Sequence, residues 1–181
     1  MYNRFDIQNR KGKQGEREIK EYYKNKGVNV VDVSNKKEFQ QQDIDFFFNG
    51  QSVEVKTANY LNTHNNIILE IVSNDNENDY KMGWLYTCTA DVMIFYNPKT
   101  KIMYQFFTND LLEYYNKNKD IIYHEKYYSK EFEKAEYIKC SLLAYIPVDE
   151  LLTNIKKYRI ETIAWKEYKN KWKKNGKEFL I

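Results

Sequence analysis

An Asn49-Gly50 pair between two β-prone runs, Ile44 to Phe48 and Gln51 to Thr57, constrains this chain more than any other feature. Both central positions of a two-residue type I′ turn need φ > 0, which Asn and Gly supply, so the pair predicts a tight hairpin. In that register Asp45 stands opposite Glu54, and Asp43 opposite Lys56. Directly opposed residues share a face, so Asp43, Asp45, Ser52, Glu54, Lys56 and Phe47 project to one side. Ile44, Phe46, Phe48, Val53 and Val55 project to the other. One side can enter a core while the other presents carboxylates and an ammonium at close range, and a slip of one residue would mix the two sets.

Carboxylates crowded on a rigid sheet repel one another, and a hard divalent cation relieves the repulsion. Magnesium takes oxygen ligands, keeps several waters and is typically held by one or two carboxylates plus a substrate phosphate. A lysine two residues beyond the glutamate lies on the same strand face, where it can orient a water or offset charge developing on phosphorus. Such a set suits phosphodiester hydrolysis. The plainer alternative is a charged outer face on an ordinary hairpin.

Asp45, eight intervening residues, then Glu54-Val55-Lys56 resembles the motif of the PD-(D/E)XK nuclease superfamily, which includes restriction endonucleases, Holliday junction resolvases and phage recombination exonucleases. Lys11 to Ile19 resembles that superfamily's first helix, whose glutamate often adds a metal ligand, and Glu16 matches it. Asn66 to Glu70 and Thr89 to Tyr96 are similar to the next two strands of small phage nucleases. The resemblance covers roughly the first hundred residues. Ile44 stands where the family has a proline, so both Asp43 and Asp45 are candidates for the aspartate, and Asp45 is favoured because it faces Glu54.

The resemblance implies an α/β domain: a restriction-endonuclease-like mixed sheet of four or five strands, with the first helix packed on one side. It implies a magnesium-dependent deoxyribonuclease, manganese substituting, in which Asp45, Glu54 and Glu16 hold the metal and Lys56 assists the nucleophile and the scissile phosphate. DNA is the implied partner, with Lys11, Lys13 and Arg17 as phosphate contacts and Asp43 and Glu70 as auxiliaries. A homodimer is expected by analogy. The rival function is a catalytically silent nuclease-fold module that binds or inhibits, of phage origin.

At 181 residues the chain suits one domain with a sizeable core. Hydrophobic residues at 42% against 30% charged exclude a disordered chain. A net charge of +3 is too mild to indicate nucleic acid by itself, so distribution matters more. Arg10, Lys11, Lys13 and Arg17 cluster at the first helix, and Lys166, Lys169, Lys171, Lys173, Lys174 and Lys177 load the tail. Cys88 and Cys140 form no framework and read as reduced, buried thiols. With only His64 and His124, a zinc cluster is nearly excluded, and His64 reads as a surface residue. No stretch approaches bilayer-spanning length and the amino terminus lacks an apolar signal region, so no membrane association and a cytoplasmic location are expected.

Along the chain, Lys13 to Lys26 reads as a helix with Glu16, Ile19 and Tyr23 on one face, Glu18 and Tyr22 on another, and Gly27 as the stop. Val28 to Val33 reads as a strand, Ser34 to Gln42 as a polar connector whose glutamines read as ordinary linkers, and Ile67 to Val72 as a fourth strand. Asn74 to Asp79 reads as a loop near substrate. Val92 to Tyr96 and Ile102 to Phe107 flank Asn97-Pro98-Lys99-Thr100 as a second hairpin. Thr108 is placed to cap a helix through about Lys117. Ile138 to Ile146 is an apolar run, Pro147 a break and Val148 to Lys157 a helix. The nuclease-like domain is bounded at 1–160, and 161–181 reads as a basic, aromatic helix docked on it or on a partner subunit.

Overall fold

The computed structural model describes residues 4–74, 80–130 and 138–163. In chain order the elements are helix α1 (Arg4–Asn25), strand β1 (Val30–Asp32), a single turn α2 (Lys37–Gln40), and the hairpin strands β2 (Phe46–Phe48) and β3 (Gln51–Thr57). A 3-10 turn at Asn59–Asn62 leads to β4 (Asn66–Asn74), β5 (Lys81–Met82) and the short helix α3 (Trp84–Thr87). The rest is β6 (Val92–Asn97), β7 (Ile102–Phe107), α4 (Thr108–Asn118), β8 (Tyr123–Lys130), β9 (Ile138–Pro147), α5 (Val148–Asn154) and β10 (Tyr158–Thr162). The chain is α/β, as expected, but it builds two sheets. One has six strands in the order β1-β2-β3-β6-β7-β10, and the other has four in the order β5-β4-β9-β8.

Asn49 and Gly50 both adopt positive φ, 50° and 91°, so the turn forms as its chemistry requires. Phe48 pairs with Gln51, Phe47 with Ser52 and Phe46 with Val53, the register expected from a two-residue loop. Strand β3 then pairs in parallel with β6, the one parallel ladder among the described strands, and the other pairs are antiparallel. Strand β6 is buried along its whole length, which suits the near-continuous apolar run Val92 to Tyr96 at the sheet centre.

Two clusters of buried side chains sandwich the larger sheet. On one face, Ile19, Tyr22 and Tyr23 of α1 pack on Phe46, Phe48, Val53, Val55, Ile94 and Met103. On the other, Met93, Phe95 and Phe106 meet Ile67, Leu69, Ala144 and Ile146 of the smaller sheet, with Leu111 of α4 and Leu151 of α5 closing the layer. The expectation of one buried and one open face is therefore corrected. Ser52 and Glu54 are each only 7% exposed, Ser52 being hydrogen-bonded to Asp91 and Glu54 paired with Lys56. Ile44 changes sides too and joins the cluster of Met93 and Phe95 rather than that of Phe46. The cause is local: the Asp45 amide donates to Val53 O although Val53 is already the partner of Phe46, so two residues oppose one and the strand's alternation breaks just after Ile44.

Several boundaries also move. The first helix begins at Arg4 rather than near Lys13, and Gly27, with φ of 81°, follows its end. The connector contains the turn of α2, and Ile67 to Val72 lies in the second sheet rather than as a fourth strand of the first. Thr108 does not cap α4: it is the first helical residue, Phe107 is the cap, and the buried Thr108 hydroxyl finds no hydrogen-bond partner in the described structure. Helix α5 stops at Asn154. Glu161 and Thr162 belong to β10 and Ile163 is buried in the α1 cluster, so the domain runs past residue 160. Buried Glu161 anchors this edge through Lys26 at 3.2 Å and through Arg159. The lysines and tryptophans of 164–181, and residues 75–79 of the stretch expected to be a loop, lie outside the described residues. No described helix is long and apolar enough to cross a membrane.

Helix α1 approaches β3 closely because Gly15 has no side chain. A Cβ there would collide with Thr57 Oγ1 and come within 3.2 Å of Thr57 Cβ, a contact that rotating the side chain does not relieve. Gly12, one turn earlier, faces open space apart from Glu16 Oε1 at 3.9 Å. We expect Gly15→Ala to destabilise the fold by about 1–3 kcal/mol through overpacking despite alanine's better helix propensity. Gly12→Ala should be neutral or stabilising by up to about 1 kcal/mol. Urea denaturation of the two variants checks this, and equal effects would contradict the close approach.

Candidate active site

Strand β2 is three residues long and β3 is seven, so the end of β3 nearest Lys56 has no strand on that side. In a continued ladder, the Val55 amide would donate to a carbonyl of the neighbouring strand. The chain has already turned away there, and the Val55 N–H donates instead to Asp45 Oδ2 at 2.9 Å, while the Asp45 amide donates to Val53 O at 2.9 Å. A side-chain carboxylate thus takes over the place of a missing strand. The gap beyond it is a cleft of about 410 Å³ lined by Gly12, Lys13 and Glu16 of α1, Ser34, Asn35 and Gln40 of the connector, and Asp43, Ile44, Asp45 and Glu54.

Four of the residues singled out in the sequence, Glu16, Asp43, Asp45 and Glu54, line this one cleft. Lys56 stands beside it, with Nζ 2.6 Å from Glu54 Oε1 and 3.7 Å from Asp43 Oδ1, and its side chain is 25% exposed. The register expected opposite Lys56 is lost at Asp43, yet the left-handed turn there, with φ of 52°, brings that carboxylate back to the lysine. Thr87 Oγ1 donates to Asp43 Oδ2 at 3.3 Å and Cys88 Sγ lies 3.4 Å from Asp43 O, so the turn is held from behind by α3. Asp45 and Glu54 line the same cleft, and the charge of Glu54 acts on the Asp45 carboxyl, although the backbone pairing ends one residue earlier.

The charges in this cleft are mutually dependent. Burial, then the negative charges of Glu54 and Glu16, push the Asp45 carboxyl up to about 9, and the Val55 amide only partly opposes them. Burial and Glu54 also raise Glu16. Burial alone would lower the Lys56 ammonium, but Glu54 and Asp43 beside it outweigh that and hold it above the ordinary lysine range. Burial pushes the Cys88 thiol up to about 12, which makes it a poor nucleophile. The pattern is four carboxyls against two lysines, Lys56 and the cleft-lining Lys13.

The donor set is all oxygen, which fits a hard divalent cation. Among the described residues no three His, Cys, Asp or Glu side chains converge closely enough to hold an ion unaided. Asp45 and Glu54, with Glu16 across the cleft, are the residues that could hold one, its shell then needing water or a substrate oxygen as well.

The other candidates separate cleanly. Lys13 lines the cleft, while Lys11 and Arg17 are exposed on α1. Glu18 turns away to Lys101 Nζ at 2.7 Å and to the Tyr96 hydroxyl, a structural pairing. Glu70 sits in β4 opposite Leu143, outside the cleft-lining residues, because its strand belongs to the second sheet. Gln40 lines the cleft but donates to Ser34 O at 2.8 Å, and Gln42 donates to Glu38 O at 2.9 Å. His64 is exposed, and His124 is hydrogen-bonded to the Tyr115 hydroxyl at 3.0 Å. Both cysteines are free thiols, but Cys140 is only half-buried. Sequence reasoning missed Trp84, whose ring lies 5.0 Å from Lys56 Nζ, as well as Thr87 and the connector wall at Ser34 and Asn35. No spacing in the sequence marks them, since the contacts cross between elements. Comparison with family models, curated proteins and solved structures returns no match.

The raised Asp45 has a stability consequence. Its carboxyl binds a proton more tightly folded than unfolded, so between the ordinary value of 3.8 and about 9 the native state holds more protons and stability falls as pH rises. Asp45→Asn keeps an acceptor for the Val55 amide without the charge. We expect it to raise Tm at pH 8, by about 2–4 °C for each kcal/mol regained, and to flatten the decline between pH 5 and 9. Magnesium should raise the wild-type Tm at pH 8 more than that of the variant. Thermal melts across pH check both, and parallel profiles for the two proteins would refute the crowding of acids.

Proposed function

We propose that this chain is a magnesium-dependent deoxyribonuclease hydrolysing phosphodiester bonds, with manganese able to substitute. The observation carrying the reading is the convergence of Asp45, Glu54 and Lys56 at the open end of β3, with Glu16 reaching the same cleft from α1. These are the positions that resemble the PD-(D/E)XK motif and its helical glutamate, and their proximity is what such an active site requires. The mixed sheet with α1 packed on one face is compatible with the arrangement that the resemblance implies.

The chain's own residues divide the work. Asp45 and Glu54 would hold the cation, with Glu16 supporting from across the cleft. The bound ion would neutralise charge on the phosphate and make a water more acidic. Asp45 must lose its proton for the cation to bind. Lys56, kept charged by Glu54 and Asp43, sets positive charge beside the reacting phosphate and offers N–H donors to orient the water. Lys13 on the wall, with Lys11 and Arg17 beyond it on α1, would meet flanking phosphates and make DNA affinity salt-dependent. A dimer, expected by analogy, would suit two-fold symmetric DNA targets.

A second reading is a nuclease-fold module that binds without chemistry. It draws on the short Glu54–Lys56 contact, which already neutralises a carboxylate that a cation would need. Incubation with single strands, duplexes, flaps and four-way junctions, with and without magnesium, separates the two. Under the nuclease reading, Asp45→Ala and Glu54→Ala reduce cleavage to background in folded protein. Lys56→Ala lowers kcat by about 10²–10³-fold with modest change in DNA affinity. Asp43→Ala is milder than Asp45→Ala. Glu16→Gln raises the magnesium needed for half-maximal rate by about tenfold or more. Glu18→Gln leaves that concentration unchanged and costs stability instead. Magnesium-independent behaviour of the wild type across the whole panel would refute the assignment.

A further inference from the structure

The Lys56 ammonium is bounded on two sides by different chemistry. Glu54 Oε1 at 2.6 Å and Asp43 Oδ1 at 3.7 Å stand on one side, and the ring of Trp84 covers another, its centroid 5.0 Å away. The indole is itself fixed. It packs on Phe95 with centroids 6.1 Å apart, and Phe95 is the β6 residue paired with Lys56 in the parallel ladder. Behind it, the Gly83 amide donates to Ile71 O at 2.9 Å, and the backbone approaches β4 so closely that a Cβ on Gly83 would collide with the Glu70 carbonyl. The start of α3 is thus docked on β4 by backbone contacts.

A lysine carries its charge on a flexible four-carbon stem, and carboxylates on one side alone leave the ammonium free to swing toward water. An aromatic face attracts the cation electrostatically and excludes water from that side. We propose that Trp84 is a positioning residue for Lys56: its ring, anchored to β4 and β6, holds the ammonium against Glu54 and Asp43 at the edge of the cleft. The catalytic consequence rests on the nuclease reading, whereas the contact itself does not. Asp43, bonded to Thr87 and close to Lys56, acts in the same holding device, which gives this auxiliary carboxylate a role other than metal ligation.

Two variants test it. Trp84→Phe keeps a π face, and Trp84→Met fills the space with a flexible apolar chain that cores tolerate. Folding is verified by circular dichroism, and the rate of reductive methylation of Lys56 is measured by mass spectrometry at one pH, with the exposed Lys119 as internal standard. Relative to wild type, Trp84→Met should methylate Lys56 about twofold to fivefold faster, the weight of a partly exposed cation–π contact, and Trp84→Phe should stay near wild type. In magnesium-dependent cleavage, Trp84→Met should lower kcat with KM nearly unchanged, and Trp84→Phe should rescue it. A methylation ratio equal to wild type in Trp84→Met would overturn the proposal, as would full kcat in that variant. If wild-type protein cleaves no DNA, the nuclease reading fails by itself, and the methylation ratio decides the contact independently.

Discussion

The hydrogen bond from the Val55 amide to the Asp45 carboxylate is the contact on which the site depends. A β-strand whose neighbour ends early must satisfy its amides elsewhere, and here a side chain does so at 2.9 Å. The same event opens a cleft beside the middle strands of the larger sheet, which are covered on both faces. It also commits a carboxylate to a partly desolvated position where it needs a donor or a cation. Structure and chemistry are therefore linked: the early end of β2 opens the gap, and the residue that satisfies the exposed amide lines it.

Close packing then decides what can reach the gap. Gly15 lets α1 lie against Thr57, and the Thr57 hydroxyl donates to Gly12 O at 3.3 Å. This brings Glu16, one residue on, to the cleft wall. Glu18, two residues further along the helix, is instead drawn to Lys101 and Tyr96 on another side. Two glutamates of similar sequence context thus acquire different fates from helix geometry and from the distance at which the helix sits.

The electrostatic balance is local and incomplete. Glu16, Asp43, Asp45 and Glu54 surround the cleft, and Lys56 is the cation bonded to two of them. Burial makes the remaining charge costly, which is why Asp45 holds a proton well above the ordinary carboxylate range. Under the proposed reading, a divalent cation would offset this charge. The site stores the excess negative charge against a second layer of aromatic and apolar side chains, including Trp84 and Phe95, which keeps water out from behind.

Local chemistry determined a good deal of this before any tertiary contact. Asn49-Gly50 dictated a turn with two positive φ angles, and the turn dictated the register of Phe46 to Phe48 against Gln51 to Val53, because loop length and pleat leave no other pairing. The spacing of Glu16, Ile19 and Tyr23 placed one carboxylate on the buried side of α1 by helical period alone. What the chain could not disclose locally was the second sheet, the irregular pairing at Asp45 that puts Ile44 in the opposite core, the strand at Tyr158–Thr162, and the Trp84 wall behind Lys56. Each of these arises from pairing or packing between segments far apart in sequence. Such contacts are fixed by which surfaces can be buried together, and periodicity within a single segment carries no record of that choice.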